Sequence, residues 1–310
     1  MARLMVLLVG TLYDRAAATR VALAVMLVFT SAGAAVAHPG SAIAIGRDGR
    51  VYFVDTGGGV FVIGRDGRVS RHDGPAFHWF AIDRASRLAK TRWPAFYGAE
   101  IRSVGLDPTL VLSSDFPVAV GPDGHLFYPD PAPQGPRRIA RVAPSGARSV
   151  YAAIPEERKR DGSPGWMNGI VAGPGGSLYY THDRTIRKVS TRGVVSTVAT
   201  NVTVPACVSI PGVESIQPYL RGLDVADDGT IFVAAAGCGA VLRVTAAGRV
   251  TPILRTTSPY SPTAVAVSNG EVYVLEYLHT ASDERREWLP RVRKVTRTGT
   301  VVTLVNTTRR

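Results

Sequence analysis

A single phrase recurs with variation along this chain and limits the folds open to it. It reads AIAIGRDGRVYFVD at Ala42–Asp55 and VAVGPDGHLFYPD at Val118–Asp130. Weaker copies are GIVAGPGGSLYYTHD (Gly169–Asp183), GLDVADDGTIFVA (Gly222–Ala234) and AVAVSNGEVYVLE (Ala264–Glu276). Each copy is a short apolar run, a polar turn, and a second run alternating aromatic and aliphatic residues. Asp-Gly and Asn-Gly supply the positive φ that tight hairpin turns need, so each copy predicts a β-hairpin.

The copies align on Asp48, Asp123, Gly175, Asp228 and Asn269, and a degenerate copy at Phe77–Lys90 puts Ala85 at the same place. The period therefore runs from 37 to 53 residues, a spacing that signals a repeat architecture. Most copies are followed by a second hairpin turn, at Asp66-Gly67, Ser145-Gly146, Arg192-Gly193, Ala247-Gly248 and Thr298-Gly299. Two hairpins make four antiparallel strands, which is one propeller blade. Six units predict an all-β, six-bladed β-propeller. Its phase puts the innermost strand of blade one first and Val301–Val305 last, as the outermost strand of blade six. No blade is then shared between the termini, and closure rests on packing between whole blades.

The N-terminus reads as a targeting segment. Arg20 precedes the apolar run VALAVMLVFT, and small residues lead to Ala35-Val36-Ala37, an A-x-A cleavage pattern. The expected division is a signal peptide over 1–37 and the propeller over 38–310, with a retained signal anchor as the other reading. Either way the propeller is exported, secreted or periplasmic, and no transmembrane span falls in the mature chain. Export suits the two cysteines, Cys207 and Cys238. One enters blade five and the other follows that blade's second strand, so both emerge on the same face and a disulfide is expected.

The net charge of +12 invites a nucleic-acid reading. Only four of the basic residues are lysines, however, and the arginines are spread over every blade. An exported chain with this distribution has a solvated basic surface, suited to anionic glycans or lipid headgroups rather than nucleic acid. A monomer is expected.

In a propeller, the starts of the inner strands and the ends of the second strands meet at one end of the channel. Counting back seven residues from each turn gives Ser41, His78, Phe116, Asn168, Arg221 and either Pro262 or Thr263. Counting forward seven gives Asp55, Arg92, Asp130, His182, Ala235 and Glu276. Asp55 and Asp130 recur at one repeat position and read as turn caps. His182 and Glu276 break the repeat, and such departures tend to mark functional places. His78, His182 and Glu276 are the candidate acid/base groups. Asn168 and Arg221 are candidate ligand-binding groups, Arg221 either pairing with Glu276 or holding a carboxylate or phosphate. Trp79, Trp93, Phe116 and Trp166 supply candidate apolar walls. A polar insertion, Tyr277–Leu289, carries His279 and reads as a binding loop.

The repeated phrase resembles NHL repeats, and the chain from residue 38 onward resembles the wider six-bladed superfamily that includes the senescence marker protein/gluconolactonase family. That resemblance implies a divalent metal at the channel mouth, held by a Glu, by the Asn of an N-G-[LI] motif and by the Asp of a D-G-[ML] motif. Asn168-Gly169-Ile170 matches the second; Gly40 or Ser41 and Arg221 stand at the other two positions. A separate copper- or zinc-chelating set is His38, left at the N-terminus by signal cleavage, with His78 or His182. Calcium, zinc and copper are thus the candidate metals. Two functions follow: a binding propeller for a small polar ligand, a glycan or another exported protein, or a gluconolactonase-like hydrolase or lyase at the same mouth.

Overall fold

In the computed structural model the described residues are 40–310, except 57, 75–77, 92, 94–100, 106, 115, 131–136, 157–164, 211–212, 214–217, 279–288 and 308–310. The sequence's hairpins appear where the turns placed them. Blade one holds β1 (Ile43–Ile45), β2 (Val51–Asp55), β3 (Gly59–Ile63) and β4 (Val69–Asp73), paired in that order from the channel outward. Blade two holds β5 (Trp79–Asp83), β6 (Ile101–Val104) and β7 (Thr109–Ser113). Blade three is β8 (Ala119–Val120), β9 (Leu126–Asp130), β10 (Arg138–Val142) and β11 (Arg148–Ala153). Blade four is β12 (Met167–Ala172), β13 (Leu178–His182), β14 (Thr185–Val189) and β15 (Val195–Ala199). Blade five is β16 (Leu220–Val225), β17 (Ile231–Ala235), β18 (Ala240–Val244) and β19 (Val250–Arg255). Blade six is β20 (Tyr260–Ser268), β21 (Glu271–Leu278), β22 (Pro290–Val295) and β23 (Val301–Asn306).

Turn chemistry explains the hairpins. In the β1–β2 turn, Gly46 and Arg50 close the loop and Gly49 (φ 77°) donates back to Gly46. The same pattern closes β8–β9 and β16–β17, a three-residue loop with its left-handed residue supplied by glycine. Asp48, Asp123 and Asp228 each accept a hydrogen bond from the backbone N–H two residues on, which fixes the turn. The β20–β21 turn is shorter: Ser268 pairs with Glu271, leaving Asn269 and Gly270 at positive φ.

Blade two departs from the sequence expectation. Its strand order is β5-β7-β6, so the second place is taken by the segment that comes last in the chain. The residues after Asp83 form turns instead of a strand. The Asp83 carboxylate accepts from the N–H groups of Ala85 and Leu88, and Leu88 is fully buried. Arg-Ala-Ser-Arg-Leu-Ala-Lys lacks the alternating apolar pattern a second strand needs, whereas Thr109–Ser113 is buried throughout. The register that placed Arg92 in the second ring therefore fails for this blade, and Arg92 itself lies outside the described residues.

The inner strands touch one another in sequence, β1–β5–β8–β12–β16–β20, and β20 returns to β1. Apolar clusters fill the seams. Phe116, Tyr128 and Val111 lie between blades two and three, and Ile139, Leu178 and Tyr180 between three and four. Ile186, Leu223, Val233 and Leu242 lie between four and five, and Val241, Val265 and Val274 between five and six. Burial falls outward, and the outermost strands β4 and β23 are largely exposed. No blade is shared by the termini, because β1–β4 and β20–β23 are each complete sheets. Among the described residues no helix is long and apolar enough to cross a membrane.

Candidate functional site

The inner strands of all six blades enclose a cavity of about 570 Å³ along the propeller axis. Its wall runs from the level of Ser41, Trp79, Pro117, Gly169, Gly222 and Ala264 to the hairpin turns at the other end, where Arg47, Arg84, Pro122, Pro174 and Asp227 are exposed. The channel is thus open toward the turns between the first and second strands.

At the opposite end, hydrogen bonds join the strand ends of neighbouring blades. The Asn168 side-chain amide donates to the Leu220 carbonyl (2.9 Å), and the Thr181 hydroxyl donates to the Arg221 carbonyl (2.7 Å). His182 pairs with Met167 across β12–β13, and Glu276 pairs with Pro262 across β20–β21. The register shifts at Asn168, at Arg221-Gly222 and at Thr263, so the ring positions of blades four, five and six coincide with β-bulges. Bulges re-aim side chains at strand ends, which is how Thr263 rather than Pro262 falls between paired residues. The ring is buried: Asn168 is 8% exposed, Arg221 6%, His182 2% and Thr263 and Glu276 0%. Each of Asn168, Arg221 and Thr263 stands one residue before a lining residue, Gly169, Gly222 or Ala264, at this end of the cavity.

The glycines in Asn168-Gly169-Ile170 and Arg221-Gly222-Leu223 have a packing reason. A Cβ on Gly169 would lie 2.9 Å from the Arg221 carbonyl oxygen, and one on Gly222 would lie 2.8 Å from Ala264 Cα. Inner strands of blades four, five and six approach too closely for any other residue.

Glu276 is committed to structure. Its carboxylate receives Arg291 Nε (2.7 Å) and Arg293 Nε (2.7 Å), and Arg293 Nη2 closes a second contact. Arg291 in turn lies 3.6 Å over the Tyr260 ring. His78 has Nδ1 2.8 Å from the Ser114 carbonyl oxygen, and its ring meets Trp79 edge-on. Trp79 lines the channel, whereas Phe116 stacks on Tyr128 in the seam between blades two and three. Asp130 forms an ion pair with Arg148 (2.8 Å), and the turn it was expected to cap lies outside the described residues. Of the insertion read as Tyr277–Leu289, Tyr277 and Leu278 belong to β21; His279 lies outside the described residues, as does His38. Cys207 and Cys238 form a disulfide.

The metal triad that the family resemblance implies does not fit these residues. Ser41, Asn168 and Arg221 bring one hydroxyl, one amide and one guanidinium, with no carboxylate and a fixed positive charge among them. Among the described residues no group of three or more His, Cys, Asp or Glu side chains is placed to hold a metal ion.

The open end carries charged groups that the sequence reading passed over. Arg47, Arg84, Pro122, Pro174 and Asp227 occupy one repeat position, the residue immediately before the aligned turn residue. Counting back one instead of seven would have found them. Arg84 Nη2 donates to the Ile45 carbonyl of blade one (3.2 Å). Deeper in the wall, Asp224 accepts from the N–H of Val267 in blade six (2.8 Å) and from its neighbour Val225 (2.8 Å). Burial pushes the Asp224 carboxyl up to about 6, with those hydrogen bonds and the Arg84 charge pulling the other way. Asp224 breaks the apolar run of its strand, a departure legible in the sequence.

No known family model matches the chain, and no curated protein matches it. Solved structures do resemble it. A streptogramin B lyase structure is 13% identical with a TM-score of 0.49, covering 88% of this chain and 85% of the other. A catalytically inactive virginiamycin B lyase from Staphylococcus aureus, with quinupristin, is 14% identical with a TM-score of 0.49, covering 84% and 82%. A Bacteroides caccae protein of unknown function is 14% identical with a TM-score of 0.42, covering 86% and 81%. Identity this low transfers no residue role to this chain.

Proposed function

We propose that this protein is an exported binding propeller that takes a small polar or anionic ligand in its central channel. The observation that carries this reading is the channel itself: a cavity of about 570 Å³ bounded by all six blades and open at a charged rim. Ligand sites are concave, typically about 300–1,000 Å³, with apolar walls and a few placed polar groups. The wall here is inner-strand backbone with Ala, Ile, Val, Trp79 and Phe80, and charged groups sit at the rim and at Asp224. Glu276 supports binding over hydrolysis at its own position, since two arginines hold its carboxylate. The disulfide and the N-terminal apolar run support export.

The test is calorimetry and thermal shift against sugars, sugar acids, amino acids and short glycans, with the wild type and with Ala44→Trp, which narrows the channel. Binding by the wild type that Ala44→Trp abolishes is the expected result. Binding that survives in Ala44→Trp puts the site elsewhere. Turnover of a lactone or ester that His182→Ala eliminates would replace the binding reading with the hydrolytic one.

A further inference from the structure

We propose that the open end of the channel binds a zwitterion, a small molecule carrying a carboxylate at one end and an ammonium at the other, because its charges are sorted by blade. This inference rests on the channel being a binding site and names the ligand's chemistry. The ring of inner-strand contacts fixes which blades face each other. Blade two is three steps from blade five by either path around the ring, so Arg84 stands directly across from Asp224 and Asp227. Arg47, on neighbouring blade one, adds a second cation to the same side.

The residues of the flanks that line the channel carry no charge. Blade three contributes Gly121 and Pro122, blade four Pro174 and Gly175, and blade six Val265 and Val267. Asp83, the acidic residue that lines the channel on the cationic side, is 1% exposed and has both oxygens bound to its own turn, and Asp48, beside Arg47, is paired with Arg50. Arg47 and Asp227 are exposed and have no partner among the described residues, so both are free to meet a ligand. Arg84 is pinned by the Ile45 carbonyl, and Asp224 by two backbone N–H groups, so each side also has one group held in place. A guanidinium fork matches a carboxylate, and a carboxylate held on the wall matches an ammonium. A ligand bearing only one charge satisfies one wall and leaves the other facing solvent.

The probes are 6-aminohexanoate, hexanoate and hexylamine, measured by calorimetry on the folded protein at low salt, with glycine as a short zwitterion. The expected result is that 6-aminohexanoate binds about tenfold tighter than either singly charged analogue. Arg84→Gln removes its advantage over hexylamine, and Asp227→Asn removes its advantage over hexanoate. Both residues are exposed, and a thermal melt of each variant checks that the fold is kept. Hexanoate binding as tightly as 6-aminohexanoate overturns the inference, and so does the absence of binding by all four probes. In either case a sugar or sugar acid that binds the wild type but not Ala44→Trp still upholds the channel as a binding site.

Discussion

Glu276 shows how a departure from the repeat can be structural. The sequence singles it out because other blades have Asp, His or Ala at that register. The reason is visible only when β22 is laid beside β21: Arg291 and Arg293 both converge on its carboxylate. Removing one member of a buried ionic group leaves uncompensated charge, at a cost of about 3–5 kcal/mol. Glu276→Gln is therefore expected to lower the urea unfolding free energy by that amount; a loss below 1 kcal/mol would show that the arginines find other partners. Gly222 gives the complementary case. A Cβ there meets Ala264 backbone at 2.8 Å, so Gly222→Ala forces blades five and six apart, costing about 1–3 kcal/mol. Thermal unfolding of Gly222→Ala checks it, and an unchanged melting temperature would refute the close-approach argument.

At the scale of elements, the hairpins were legible because they are local. A glycine that tolerates positive φ, an Asp that caps its own turn, and alternating apolar residues specify a hairpin within a dozen residues. Blade two was not legible, because its second strand is recruited from later in the chain and wins by burial, not by proximity. The Cys207–Cys238 disulfide ties the long entry to blade five back onto that blade, closing a sequence separation of 31 residues. Loop-closure entropy at that length corresponds to about 3–4 kcal/mol. The Cys207→Ser/Cys238→Ser pair is expected to lose that much stability in reversible denaturation, and reductant should then have no further effect on the variant. A double variant as stable as the wild type would mean that packing alone holds the segment.

For the whole molecule, the decisive question is how a ring closes without a shared sheet. The Tyr277 hydroxyl of blade six donates to the Val54 carbonyl of blade one, and burial drives the phenol's pKa far upward. Tyr277→Phe leaves that carbonyl without its donor and is expected to cost about 1–3 kcal/mol, read by urea unfolding. Asp224 joins blades five and six through the Val267 N–H, and its raised carboxyl couples stability to pH. Between the ordinary value of 3.8 and the folded value of about 6, the folded chain holds a proton that the unfolded chain has released. The stability tied to that proton is therefore full below 3.8 and lost as pH rises through 6, up to about 3 kcal/mol. Comparing wild type with Asp224→Asn from pH 4 to pH 7 should show the difference moving in favour of the variant. A difference that stays flat would mean that the carboxyl titrates normally.

The number of blades, their phase and the turns of every blade but the second are legible in the pattern of residues alone. It also placed the two cysteines on one face, because period, turn chemistry and alternation are properties of neighbouring residues. Equal register in a ring means equal height, and on that ground the pattern alone predicts Asn168, His182, Arg221 and Glu276 at one end of the axis. That these residues are buried, and that charged groups stand at the exposed turns at the other end of the channel, emerges only from the folded chain. That outcome depends on bulges, ion pairs and close strand approaches between segments tens to hundreds of residues apart, whose energies no local pattern encodes.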